Sequence, residues 1–192
     1  DEKDANKNPT GRRVTTNDYS SADYYYVNKS SLPKVYGGFN TSLSWKGFDL
    51  SAIFAYSIGG YIYNRDITMI LHNGSLEGRD WSTEILKRWT PDNRYTDVPA
   101  LSTTSNNWNS ASTRFLQNNS YMRLKNLTLS YNLPKQWISK LSLSSVQVYV
   151  QGDNLFTIHR NQGLDPEQGI TGITYYRYPA MRTISGGINL SF

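Results

Sequence analysis

An all-β chain of antiparallel strands, of the kind that walls a transmembrane barrel, is what this sequence predicts. Three observations lead there. Apolar residues recur with a period of two, opposite faces rich in Ser, Asn, Thr and Gln. The chain is polar on average, with hydrophobic residues at 38%, yet it holds 15 Tyr, 5 Trp and 6 Phe. Short and long connections alternate between the strands. A barrel in lipid needs all three, because only every second strand residue must be apolar.

The strands follow in order. Residues 1–33 read as a loop segment, rich in Asn, Asp, Ser and Thr, with a turn signal at Pro9-Thr10-Gly11 and a short strand expected at Tyr24–Val27. Residues 34–192 read as the strand-bearing portion. Val35, Gly37, Phe39, Thr41, Leu43 and Trp45 share one face; Tyr36, Gly38, Asn40, Ser42 and Ser44 share the other. Lys46-Gly47 is a two-residue hairpin signal. Phe48, Leu50, Ala52, Phe54, Tyr56 and Ile58 then alternate with Asp49, Ser51, Ile53, Ala55 and Ser57.

Residues 59–119 form a long connection. Tyr61 to Leu71 begins as a strand. Ser82 to Trp89 is its best helical piece: Trp81, Ile85 and Trp89 recur every fourth residue, Glu84 precedes Arg88 by four, and Pro91 stops it. Alternation returns at Leu127, Leu129, Tyr131 and Leu133 against Asn126, Thr128, Ser130 and Asn132, until Pro134. After a short link over 135–143, Val146, Val148 and Val150 alternate with Gln147, Tyr149 and Gln151, and the strand runs to about Ile158. Residues 160–178 form a second long loop. The last strand is Thr183 to Phe192.

Parity sets direction. In outer-membrane barrels the short turns are periplasmic and the long loops extracellular. The last strand therefore descends, and Phe192 lies at the periplasmic side. Trp45, Phe48 and Phe192 fall near that interface, where an aromatic girdle belongs. One discord stands. The outward parity of Leu127, carried upstream, turns Lys125, Arg123 and Tyr121 outward. Either these sit at the rim and snorkel to lipid phosphates, or a bulge flips the parity. Asn154 breaks the alternation in the same way, as a bulge or a capping residue.

Several other classes are disfavoured. No window holds the roughly 18 apolar residues of a membrane helix. Cysteine is absent, so neither a disulfide framework nor a thiolate zinc site can form. The net charge is +5, but the basic residues are scattered and leave no nucleic-acid stripe. The polar start, Asp1 to Arg13, reads as a mature N-terminus or an internal cut rather than a signal peptide.

Ser185, Gly187, Leu190 and Phe192 fit the insertion signal of outer-membrane proteins: polar, any, Gly, any, any, apolar, any, aromatic. Longer stretches carry a resemblance. They are Pro33–Phe39 with Trp45–Leu50, Arg88–Asn93 with Thr96–Pro99, Ser120–Pro134, Val148–Thr157, Gly163–Glu167, and Tyr178-Pro179 with Arg182-Thr183. In this order they resemble the SusC/RagA-type TonB-dependent outer-membrane transporters of Bacteroidetes, over residues 33–192. The resemblance implies the C-terminal strands of a plugged barrel of about 22 strands, incomplete without the rest of the protein. It implies a nutrient importer for glycans or peptides, not an enzyme, energised by TonB through an N-terminal region that this chain lacks. It also implies a SusD-like lipoprotein over the mouth, and barrel strands and a plug supplied by other residues. The family's Gly/Asp-rich, calcium-loop-like stretch ahead of Pro33 is replaced here by a run without Asp-x-Asp-x-Asp-Gly spacing, so no metal or other cofactor is expected.

Candidate site residues carry blander readings beside the sharper ones. Asp165 and Glu167 form a carboxylate pair of the glycosidase kind, though Asp165-Pro166-Glu167 reads better as a shaped turn. His72 and His159 are far apart and suggest neither a triad nor a metal site. Trp81, Trp108, Tyr175 and Tyr176, with Trp89, are candidates for stacking on sugar rings or touching the lid protein; for Trp81 and Trp89 packing is preferred. Asn40, Ser42, Ser44, Asn126, Thr128, Gln147 and Gln151 are expected to face the lumen. A soluble β-sandwich that binds carbohydrate is the alternative; it would bury the apolar face against a second sheet.

Overall fold

Lys46 and Gly47 carry φ angles of 46° and 88°. Two successive residues in this left-handed region make the hairpin turn whose twist matches that of the flanking strands. The turn places Trp45 opposite Phe48 and fixes an unbroken register out to Val35 opposite Ile58. Every side chain of the hairpin is thereby assigned to a face.

The computed structural model describes residues 3–192 except 17, 73–75, 77, 103–106, 140–142, 162, 164, 168–170 and 175, and except the side chain of Trp108. Its strands are β1 (Val35–Trp45), β2 (Phe48–Ile58), β3 (Tyr61–Tyr63), β4 (Leu116–Asn118), β5 (Tyr121–Asn132), β6 (Ser145–His159) and β7 (Thr183–Ser191). Two short helices are α1 (Arg65–Ile70) and α2 (Lys135–Ile138). No described helix is long and apolar enough to cross a membrane, which says nothing of strands. The chain divides into two units, one of Lys29–Asn64 with Leu116–Phe192, the other of Asp1–Asn28 with Arg65–Phe115.

The first unit is built on a five-stranded sheet in the order β1-β2-β5-β6-β7, antiparallel throughout. Its short connections, Lys46-Gly47 and 133–144, leave one end of the sheet; the long ones leave the other. At the long-loop end β3 pairs with β4. Tyr63 also donates to Gly172 O (2.7 Å), and Thr174 N–H donates back to Tyr63 O (3.2 Å). These bonds satisfy loop backbone that would otherwise be stranded. The most deeply buried side chains of this unit, Ile62, Asn64, Thr174 and Pro166, belong to these loop segments and not to the large sheet.

The second unit has a small core containing Leu71, Ile85, Val98 and Phe115. Here several expectations change. Tyr24–Val27 forms no strand, and Tyr24 and Tyr26 are exposed. The segment after Tyr63 turns into α1, where Thr68 bonds back to Arg65 O (2.6 Å). The helix expected over 82–89 is a 3₁₀ turn at Thr83–Lys87, capped by Ser82 Oγ on Glu84 N–H (3.3 Å). Three residues per turn eclipse positions three apart. Glu84 therefore meets Lys87 (2.8 Å) and not Arg88. Asn93 and Thr96 then take up the Lys87 carbonyl at 3.0 and 2.6 Å. The Arg88–Pro99 signature thus has a structural reason: it finishes a short helix whose last carbonyls need partners.

Candidate functional site

The large sheet has two chemically opposed faces. On one lie Phe39, Leu43, Trp45, Phe48, Leu50, Leu129, Val148, Val150, Ile184, Ile188 and Leu190, each exposed. Phe39 stacks on Phe54 with ring centroids 4.7 Å apart, and Phe48 tilts against Tyr131 at 4.5 Å. A sandwich would bury this face. Instead Ile184 is 76%, Ile188 62% and Phe192 90% exposed. Among the described residues of this unit no layer covers these apolar side chains.

The other face is a hydrogen-bonded polar surface. Near the short turns one chain of bonds crosses all five strands. Ser44 and Asn132 donate to the Asp49 carboxylate (2.5 and 2.6 Å). Gln147 donates to Asn132 Oδ1 (3.1 Å), and Asn189 donates to Gln147 Oε1 (3.1 Å). Further along, Asn126 donates to Asp153 Oδ1 (2.8 Å) and accepts from Thr128 (2.9 Å), while Gln151 donates to Asp153 Oδ2 (3.2 Å). Most of the residues expected on the lumen side take part. Side chains that satisfy one another across strands stiffen this face of the sheet.

The discord at Arg123 is resolved by a bulge. Pairing of β2 with β5 slips between Ile53 and Phe54, and pairing of β5 with β6 slips between Leu124 and Asn126. Lys125 is the extra residue. On β6, Asn154 takes φ 52° and its amide donates to Met181 O (3.2 Å), so it serves as bulge and as cap together. The bulge flips parity, and Arg123 turns to the polar face. There its Nε donates to Thr157 Oγ1 (2.9 Å), one terminal nitrogen to Glu167 (2.8 Å), and the other to Asp165. Lys125 Nζ reaches Glu167 at 2.5 Å. The Arg123 and Asp165 side chains are 4% and 7% exposed.

Asp165 is held below the usual carboxylate range. Burial pushes its carboxyl up, but the N–H groups of Ala180 and Glu167 and the Arg123 guanidinium outweigh that. The two carboxylates singled out as a glycosidase pair are thus committed to the cationic side chains of β5. Pro166 between them is fully buried, with its carbonyl accepting from Asn119 Nδ2 (2.8 Å). The group shapes and fastens the loop after β6. Beside it, on the same face, is a cavity of about 310 Å³ lined by Arg123, Thr157, His159, Arg177, Ala180 and Arg182 among others.

Ser185 and Gly187 lie on the polar side of β7, Leu190 on the apolar side, with Phe192 just beyond. Gly187 is opposite Tyr149, and a Cβ there would meet the Tyr149 hydroxyl at 2.7 Å, so the tyrosine lies across the space glycine leaves. Trp81 packs edge-on to His72 at 5.4 Å, in the second unit. Tyr176 is exposed with φ 39°. Tyr175 and the Trp108 side chain lie outside the described residues. No group of His, Cys, Asp or Glu among the described residues is arranged for a metal. The Arg123 cluster was not foreseen, because its partners are 42 and 44 residues away; the ambiguous parity at Lys125 was the signal.

Comparison with known proteins gives a consistent result. No family model matches the chain. A TonB-dependent receptor of Formosa agariphila is 34% identical over 166 residues, 81% of this chain and 16% of that protein. The TonB-dependent receptor SusC of Bacteroides thetaiotaomicron is 28% identical over 168 residues, 87% of this chain and 16% of that protein. The RagAB peptide importer in its closed-closed state superposes with a TM-score of 0.81 at 35% identity, covering 100% of this chain and 20% of the importer chain. The chain therefore spans a fifth or less of the length of each of these.

Proposed function

Because the chain belongs to the TonB-dependent receptors of the SusC/RagA type, we propose that its five-stranded sheet is part of the wall of an outer-membrane nutrient importer. In this reading the barrel has about 22 strands. The apolar face of the sheet meets lipid and the polar face lines the lumen. The observation that carries the reading is the sheet itself: strands whose outward side chains are apolar and exposed, and whose inward side chains bond to one another. Water would penalise the first face, and lipid would penalise the second.

The sheet edges support the same conclusion. Among the described residues β1 and β7 each pair on one side only. An unpaired strand edge in hydrocarbon costs several kcal/mol per group, so further barrel strands must flank both. We assign the short turns to the periplasmic side and the loops over 59–119 and 160–178 to the cell exterior. Ser185, Gly187, Leu190 and Phe192 serve as an insertion signal. A SusD-like lipoprotein covers the extracellular mouth, near Tyr176 and the other loop aromatics, and TonB drives transport through the plug. The likeness to a peptide importer favours peptides as cargo over oligosaccharides. The barrel reading is tested on the intact receptor that carries this segment. It should fractionate with the outer membrane and migrate faster on a gel unheated than boiled. Identical migration in both lanes, with solubility in the absence of detergent, would sink the assignment.

A further inference from the structure

We propose that the arginine-rimmed cavity on the polar face is a binding subsite for a carboxylate group of the cargo. The inference rests on the importer reading and adds the chemistry that one point of the lumen recognises.

At about 310 Å³ the cavity is at the small end of ligand sites. Its charge is one-sided. Among the described residues Asp165 is the only acidic one lining it, and that carboxylate is spent: Oδ1 takes Arg123 and the Glu167 N–H, and Oδ2 takes the Ala180 N–H (2.6 Å). Arg123 is likewise committed to Asp165, Glu167 and Thr157.

Arg177 and Arg182 differ. Both line the cavity and both are exposed. Among the described residues no hydrogen bond or ion pair engages either one. Between them Pro179 and Ala180 contribute wall without charge. Two exposed guanidinium groups lining one cavity, without a counter-charge among the described residues, match the paired oxygens of a carboxylate, which each planar fork can bind through two parallel N–H groups. Neutral sugars gain little from such a pair, and ammonium groups are repelled by it.

The cavity's place in the fold gives it access to cargo. Thr157 and His159 sit opposite Arg123 and Tyr121 in the ladder, on the polar face at the long-loop end. In the barrel reading this is the extracellular part of the lumen. Two cargo classes bring a carboxylate there: the free C-terminus of a peptide and the uronate of an oligosaccharide. The cavity recognises the group they share.

The test uses the intact receptor in detergent, titrated calorimetrically with trialanine, trialanine amide and trigalacturonate. At least one carboxylate probe is expected to bind, and the Arg177→Gln/Arg182→Gln double variant to bind it at least about tenfold more weakly. Trialanine amide is expected to bind weakly and equally to both proteins. Dependence on the arginines for trialanine alone identifies a peptide terminus, and for trigalacturonate alone a uronate; either supports the subsite. Failure of both carboxylate probes to bind, or affinities unchanged in the double variant, overturns it. Gel migration is read on the same samples. A receptor that keeps its heat-dependent shift but fails the titration refutes the subsite alone, whereas one without the shift refutes the importer reading beneath it.

Discussion

Arg123→Met is expected to release the loop after β6 from the sheet and to cost the intact receptor about 3–5 kcal/mol, toward the lower figure. The reason is what the variant leaves behind. Asp165 stays almost fully enclosed and loses the Arg123 guanidinium, while the N–H groups of Glu167 and Ala180 still donate to it. Glu167 is about one-third exposed, can still reach Lys125, and adds little to the loss. Arg123→Lys should fall between wild type and Met, since an ammonium keeps the charge but cannot hold three acceptors in one plane. Limited proteolysis on whole cells reads the release: cleavage within 160–182 should be slow in wild type, faster in the Lys variant and fastest in Met. Acid should act through Asp165. Its carboxyl is depressed, so its contribution is complete above about pH 4 and is lost only as pH falls through the lower folded-state value. Wild-type loop protection should therefore persist from neutrality to about pH 4 and fail below it. Equal cleavage of wild type and Arg123→Met at pH 7 would show that the ion cluster does not fasten the loop.

Leu129→Arg is expected to cost about 2–4 kcal/mol if that position is near the bilayer midplane, enough to deplete assembled receptor from the outer membrane. Leu129 lies on the central strand, on the exposed apolar face, between Leu50 and Val150. The control is Ser51→Arg. Ser51 pairs with Ser42 and Thr128 on the polar face, where an added guanidinium stays in water. The folded fraction, measured by heat-dependent gel migration of outer-membrane preparations, should fall sharply for Leu129→Arg and little for Ser51→Arg. Similar losses for both would mean that the two faces do not meet different solvents.

The strands were legible because their signal is local and repeated. Val35–Trp45 and Phe48–Ile58 agree with the alternation residue for residue, since Lys46-Gly47 allows only one hairpin turn. The apolar and polar sets of β5, β6 and β7 were likewise plain from every second residue. Around Lys125 the pattern fails for a physical reason. Tyr121 to Lys125 alternates large and basic side chains, and both parities look amphipathic until the bulge is known. The bulge in turn is stabilised by Asp165 and Glu167 in a distant loop, which periodicity cannot reach. In the second unit the spacing of Trp81, Ile85 and Trp89 pointed to an α-helix. The Ser82 cap and the carbonyl bonds from Asn93 and Thr96 instead favour the tighter 3₁₀ turn. Aromaticity alone does not say whether a ring packs, anchors or binds; Trp81 packs against His72, whereas Tyr176 is exposed.

The two-solvent sheet is tested most directly by nitroxide accessibility in the reconstituted receptor. This segment contains no cysteine, so each introduced label is unique within it. Labels at Leu50, Leu127, Leu129 and Val150 should relax with oxygen, which partitions into lipid. Labels at Ser51, Thr128, Ser130 and Gln151 should relax with a water-soluble nickel chelate. An accessibility that alternates residue by residue is the predicted result. Apolar positions shielded from both reagents, as inside a closed sandwich, or open to the chelate as fully as their polar neighbours, would contradict it.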